Sequence, residues 1–200
     1  MFRRSILMFF TLTTMVTSGH GQVVTLDSAT VAELRRIHST TELNGEQNDS
    51  DSQILSLTRA LARAGLSDRL AREYSRHFVR FGRKTDTDPY LLAAIALHES
   101  DFNPRAYNRA GGGSHGLMQV VSGRWLRQWA DECGAGATRS NLREPRYSIC
   151  YGAYIFAYFR DHPRSRGQRS RALRAYNSGF RYLQNGYDRR VLNAYRRLRG

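Results

Sequence analysis

The chain has 200 residues, with 31 Lys plus Arg against 17 Asp plus Glu, two cysteines and 40% hydrophobic residues. One compact globular domain fits that length, and the composition excludes a chain disordered throughout and a disulfide-stapled miniprotein. No apolar run reaches the roughly 18 residues a spanning helix needs, which argues against an integral membrane protein. Lys84 is the only lysine, so the basic excess is almost wholly arginine.

Arg3 and Arg4 precede a short apolar stretch from Ile6 to Val16 and then small residues up to Gly21, the order of a secretory signal. Residues 1–21 are therefore expected to be a signal peptide, cut after Gly21 or after Ser18. An uncleaved anchor would have too few apolar residues to cross roughly 30 Å of hydrocarbon. No cysteine occurs before Cys133, so the acceptor of a lipoprotein is missing and the expectation is a soluble exported protein, periplasmic or secreted. Within 22–50 a short helix over Val31 to His38 is followed by the polar run STTELNGEQNDSDS, which reads as a flexible linker. The folded domain is expected over 51–200.

Helical spacing recurs from there. Ile54, Leu57 and Leu61 run to a stop at Gly65, and Leu70, Tyr74, Phe78 and Phe81 lie between a start at Ser67 and a stop at Gly82. Asp88-Pro89 is a cap followed by proline at the first helical position, leading into YLLAAIAL from Tyr90 to Leu97. A helix apolar on every side belongs in the middle of a bundle. Further helices are expected at 122–132, 145–161, 168–176 and 187–198. No strand alternation exceeds a few residues and no internal repeat occurs, so the predicted class is all-α.

In an exported chain Cys133 and Cys150, 17 positions apart, read as a disulfide worth roughly 3 kcal/mol in the chain-entropy model. Two unpaired buried thiols are the other reading. Without a neighbouring histidine pair they do not suggest zinc, and neither metal nor organic cofactor is expected. Residues 22–101 hold 10 basic and 12 acidic side chains, whereas 102–200 hold 19 and 5. A basic half can bind nucleic acid, but an exported protein meets little of it; the polyanion outside a bacterial membrane is the cell wall with its peptide carboxylates. A solvated arginine-rich face is an equal alternative.

Glu99 follows the apolar helix, and the positions one and two turns before it are Leu92, Ile95 and Ala96, so its face points inward. Partial burial and the negative end of the helix dipole both disfavour the anion. A carboxylic acid still protonated near neutral pH is what a general acid needs to protonate a glycosidic oxygen. The alternative is a frayed helix end whose glutamate reaches water. Asn103-Pro104 then ends the helix, and GGGSHG at Gly111 to Gly116 lets backbone approach a ligand before GLMQVV resumes packing. Ala175-Tyr176-Asn177-Ser178-Gly179, at a helix end, offers a phenol and an amide suited to a carboxyl and a sugar.

These blocks resemble the catalytic domain of the soluble lytic transglycosylases (SLT), relatives of goose-type lysozyme that cut bacterial peptidoglycan. Glu99-Ser100 with Asn103-Pro104 resembles the acid motif, Gly116-Leu117-Met118-Gln119 the glycine-leucine-methionine-glutamine block, and Ala175-Tyr176-Asn177 with Gly179 the alanine-tyrosine-asparagine block. Ile149 with Gly152 and the ending YDRRVLNAY are similar to two weaker helical signatures, so the resemblance covers 78–198. It implies a lysozyme-like fold whose buried central helix carries Glu99 as catalytic acid. It further implies Tyr176 as the residue that orients the acid by hydrogen bonding, Gln119 and Asn177 lining the sugar groove, and Ser100 and Met118 shaping the site. Gly111 to His115 stand where the family has a shorter segment with one glycine and an alanine, and Val120, Val121 and Ser122 where a methionine and a proline are frequent. His98 and His115 are expected to be structural or cleft-lining.

The resemblance implies cleavage of the MurNAc–GlcNAc β-1,4 bond with a 1,6-anhydroMurNAc product. One acid suffices there because the substrate's acetamido group stabilises C1 and its C6 hydroxyl displaces it, so water is not required. The alternatives are a hydrolytic muramidase of the same fold, with Asp101 or another carboxylate as base, and a non-catalytic wall-binding or secretion-accessory protein. The expected partner is the peptidoglycan glycan strand, with secretion or wall-remodelling machinery as further partners and no nucleic acid, for a chain acting as a monomer.

Overall fold

The computed structural model describes residues 27–110, 112–134, 138–182 and 184–200, together with Val16–Thr17 and Val23–Val24. The expected signal peptide lies outside the described residues except for Val16–Thr17. This pair forms β1 and aligns antiparallel with β2, Val23–Val24. The chain divides into two compact units, 1–47 and 48–200.

Helix α1, Ser28–Arg63, replaces the expected short helix and polar linker with one continuous element. Asp27 accepts the Thr30 N–H at 2.8 Å at its start. From Asp27 to Ser52 every described side chain except Val31 and Ser50 is exposed, so no apolar face supports this stretch. Contacts one turn apart do instead. The Thr40 and Thr41 hydroxyls donate to the carbonyls of Arg36 and Ile37, Gln53 donates to Asp49, and His38 faces Glu42 at 3.4 Å. The two side-chain pairs are worth a few tenths of a kcal/mol each, the Thr hydroxyl bonds add no helix stability, and an apolarity pattern registers neither. Downstream, Leu57 and Leu61 are fully buried and the helix stops before Gly65, as its spacing predicts.

The 48–200 unit is helical around α3, Pro89–Ser100. Leu92, Ala93, Ala94, Ile95 and Ala96 have no exposed surface, and α3 packs against α2 (Asp68–Lys84), α6 (Pro145–Asp161) and α8 (Tyr187–Arg199). An all-apolar sequence is satisfied only where neighbours cover every side of the helix. Asp88 caps it as expected, accepting the Tyr90 N–H at 2.8 Å, with Pro89 in the first turn. Helix α2 continues through the expected stop at Gly82 to Lys84.

After α3 the chain folds into a small antiparallel sheet of β3 (Tyr107–Asn108), β4 (Ser114–His115) and β5 (Val120–Val121). Strands of two residues are below what alternation can signal. The helix expected at 122–132 is broken at Trp129 into α4, Arg124–Gln128, and α5, Ala130–Cys133. Cys133 is disulfide-bonded to Cys150 of α6, with the Cα atoms 5.8 Å apart. Helix α7, Arg169–Ser178, then packs between α6 and α8. Among the described residues no helix is long and apolar enough to cross a membrane.

Candidate active site

Helix α3 ends because Asp101 takes the left-handed C-cap, φ 52° and ψ 41°, with its N–H donating to the Leu97 carbonyl. Glu99 therefore stands in the last turn, half-buried, while Asp101 turns out to solvent. Glu99 Oε1 accepts the Tyr187 hydroxyl at 2.6 Å. Burial pushes the Glu99 carboxyl from about 4.5 up to about 7, and the Tyr187 hydrogen bond pulls in the opposite direction. Among the described residues no charged side chain adds to the shift. Burial is the larger cause, and it favours the protonated form.

The phenol that holds it is not the expected one. Tyr176 donates to the Met118 carbonyl at 2.7 Å, and Tyr187, at the start of α8, reaches the carboxyl. The two tyrosines sit in different helices, and the packing of α8 along α3 rather than any spacing selects Tyr187. Tyr176 stays within electrostatic reach, since burial first and the Glu99 charge second raise its phenol well above the usual range. Tyr187 responds in the same sense. The clue available beforehand was the YDRRVLNAY ending, which contains Tyr187.

The glycine-leucine-methionine-glutamine block forms the opposite wall. Gly116 has φ +74°, and a Cβ there would collide with the Leu142 carbonyl oxygen, so only glycine lets this loop pass. Ser100 ties α3 to the block, its hydroxyl within 2.9 Å of the Leu117 carbonyl and 3.1 Å of the Ala96 carbonyl. Met118, expected to shape the site, is completely buried. It packs on α6, where a Cβ at Gly152 would lie 2.6 Å from Met118 Cβ, and its N–H donates to Ser148 Oγ. Met118 thus acts through its carbonyl, which anchors Tyr176. The Gln119 amide is spent inside the loop, since Nε2 donates to the Ala106 and Gly116 carbonyls and Oε1 accepts Ser114 Oγ at 2.8 Å.

Beside this wall lies a groove of about 330 Å³ that includes Gln119, Val120, Trp125, Tyr176, Asn177 and Phe180. Gln119 and Asn177 are among its lining residues, and Glu99 is not. Asn177 is exposed and accepts Asn185 Nδ2 at 2.9 Å. His98 stacks edge-on against Tyr187 with ring centroids 5.1 Å apart, and His115 stacks on the exposed Tyr107 at 4.7 Å. His98 meets Arg190 rather than the acid, its Nε2 accepting the Arg190 Nε–H at 3.3 Å. Gly111 of the glycine run lies outside the described residues. No group of three or more metal-ligating side chains occurs among the described residues.

Among solved structures the chain is similar to an inactive mutant of the lytic transglycosylase Slt from Pseudomonas aeruginosa, with 21% identity and a TM-score of 0.47 over 71% of this chain. It spans about a quarter of that protein's length, 25%. The family model of the transglycosylase SLT domain matches residues 78–192, which include Glu99, the Gly116–Gln119 block, Tyr176 and Tyr187. The chain therefore belongs to the transglycosylase SLT domain family.

Proposed function

We propose that the protein is a peptidoglycan lytic transglycosylase that cleaves the MurNAc–GlcNAc β-1,4 bond and leaves a 1,6-anhydroMurNAc end. The observation that carries this reading is the carboxyl of Glu99, pushed up to about 7 by burial and bonded by Tyr187 at 2.6 Å. Glu99 gives its proton to the glycosidic oxygen as the bond from that oxygen to C1 breaks, and the neighbouring acetamido oxygen stabilises C1. The C6 hydroxyl then bonds to C1 and returns its proton to the Glu99 carboxylate, so no water enters. Tyr187 is the positioning residue for both steps. Tyr176, held by the Met118 carbonyl, lines the groove, and Asn177 and the backbone around Gln119 face the sugars.

The nearest acid in sequence, Asp101, is exposed at the helix cap, which favours one-acid chemistry over a water-activating pair. Digestion of purified sacculi with product mass analysis decides. Anhydro products lacking one water are expected. A reducing end that borohydride reduces would make the protein a hydrolase, and binding without release would make it a wall-binding protein. Export is part of the same reading, since the substrate lies outside the cytoplasmic membrane.

A further inference from the structure

Directly after Tyr187 on α8, two arginines converge in a way that the reaction above does not use. A Cβ placed on Gly186 would lie 3.3 Å from Arg189 Nη2 and 3.3 Å from Arg190 Nη1, so both guanidinium groups close on the same spot over the loop that leads into α8. Arg190 is bracketed there: Nη1 donates to the Asn185 carbonyl at 2.8 Å and Nε donates to His98 Nε2 at 3.3 Å. That bond requires an unprotonated His98 Nε2, and burial together with the Arg190 charge lowers the histidine's pKa in agreement. Asp188, the acid between them and Tyr187, is committed to Arg174 at 2.9 Å. Among the described residues no carboxylate pairs with Arg189 or Arg190.

Two like charges brought together without a counter-charge repel, and an anion placed between them relieves that repulsion. One hydrogen bond links the spot to the groove. Asn185, whose carbonyl holds Arg190, donates through its own amide to the groove residue Asn177. We infer that Arg189 and Arg190, bracketed by His98 and Asn185, form a subsite for a carboxylate of the peptide stem carried by the sugar strand in the groove. This rests on the peptidoglycan reading above and deepens it, since it makes the substrate a peptide-bearing strand rather than bare glycan. His98 then serves as the neutral acceptor that keeps Arg190 turned toward the loop.

The test is calorimetric binding of the full chain, carrying Glu99→Gln so that ligands survive. The probes are peptide-bearing glycan fragments with free stem carboxylates, the same fragments stripped of that charge by amidation, and inorganic phosphate. Fragments with free carboxylates are expected to bind about tenfold tighter than stripped ones, as one good charge-assisted pair supplies. The double variant Arg189→Gln with Arg190→Gln is expected to erase that difference and leave stripped fragments unchanged. Both side chains are exposed, so the fold should survive. Arg190→Lys, which keeps the charge but loses the bracket, is expected to keep part of the preference.

Equal affinity for both fragments, or a double variant that retains the preference, overturns the proposal. Phosphate that displaces the fragment with free carboxylates at equal concentration would make the pair a general anion site and also overturn it. Preferential binding without products from sacculi would leave the subsite standing and remove the reaction. Cleavage of sacculi with equal affinity for the two fragments would do the reverse.

Discussion

The two ends of α3 each carry a carboxyl group, and each receives a tyrosine hydroxyl from α8 at 2.6 Å: Tyr195 donates to Asp88 and Tyr187 to Glu99. The tyrosine therefore does not distinguish the two ends. At the first end Asp88 also accepts the Tyr90 N–H and faces the Arg199 guanidinium at 3.2 Å, so its charge is met by a cap and a cation. At the last end no cation among the described residues pairs with Glu99, and burial raises it to about 7. One end of the helix is built to fasten it and the other to hold a proton. What sets the Glu99 end apart is burial without a counter-charge among the described residues, and under the proposed function that makes it the proton donor.

Removing the proton from the reactive end should have the largest effect. Glu99→Gln keeps the shape and is expected to lower the release of soluble fragments from sacculi by on the order of 10²- to 10⁴-fold, the usual contribution of a general acid. An undiminished rate would break the comparison. The same variant should also show the cost of the buried acid. Because the folded carboxyl titrates about 7 and the unfolded one about 4.5, the native state holds the extra proton between those values. Its stabilising contribution is complete below about 4.5 and is lost as pH rises through about 7. Relative to Glu99→Gln, the parent should therefore lose roughly 3 kcal/mol across that window, read from denaturant midpoints at pH 4.5 and pH 8. A pH-independent difference between the two proteins would contradict the assigned burial.

Of similar size, reduction of the Cys133–Cys150 bridge should cost roughly 3 kcal/mol and leave the pH profile of cleavage in place, since the bridge ties α5 to α6 and does not include the acid. Tyr187→Phe comes next. Losing a donor to the carboxylate should move the basic limb of the activity profile upward and lower the rate about tenfold, whereas Tyr176→Phe should leave that limb where it is. Equal shifts in the two variants would return the orienting role to Tyr176. The smallest effect belongs to the fastening end: Asp88→Ala should cost about 1 kcal/mol or somewhat more of stability, with an unchanged pH optimum.

Much of this was legible in the residues. The Asp88-Pro89 start, the all-round apolarity that places α3 in the centre, the inward face of Glu99 and the pairing of Cys133 with Cys150 all follow from local pattern and composition. Other features gave no such signal. The polar run after His38 looks like a linker because it lacks an apolar face, yet contacts one turn apart carry α1 through it. Met118 reads as a site residue from its motif, while its side chain is needed in the core opposite Gly152. Trp129 breaks a helix that periodicity alone would continue.

Local chemistry was enough to say that α3 is a buried helix ending in an acid, because capping, period and apolarity act within a turn or two of chain. The partner of that acid was decided only in three dimensions. Tyr187 lies 88 positions away, and Tyr176 carries the same phenol in an equally suggestive motif. Which hydroxyl arrives depends on how α7 and α8 settle against α3, a matter of packed volumes and satisfied carbonyls that no short window of sequence contains.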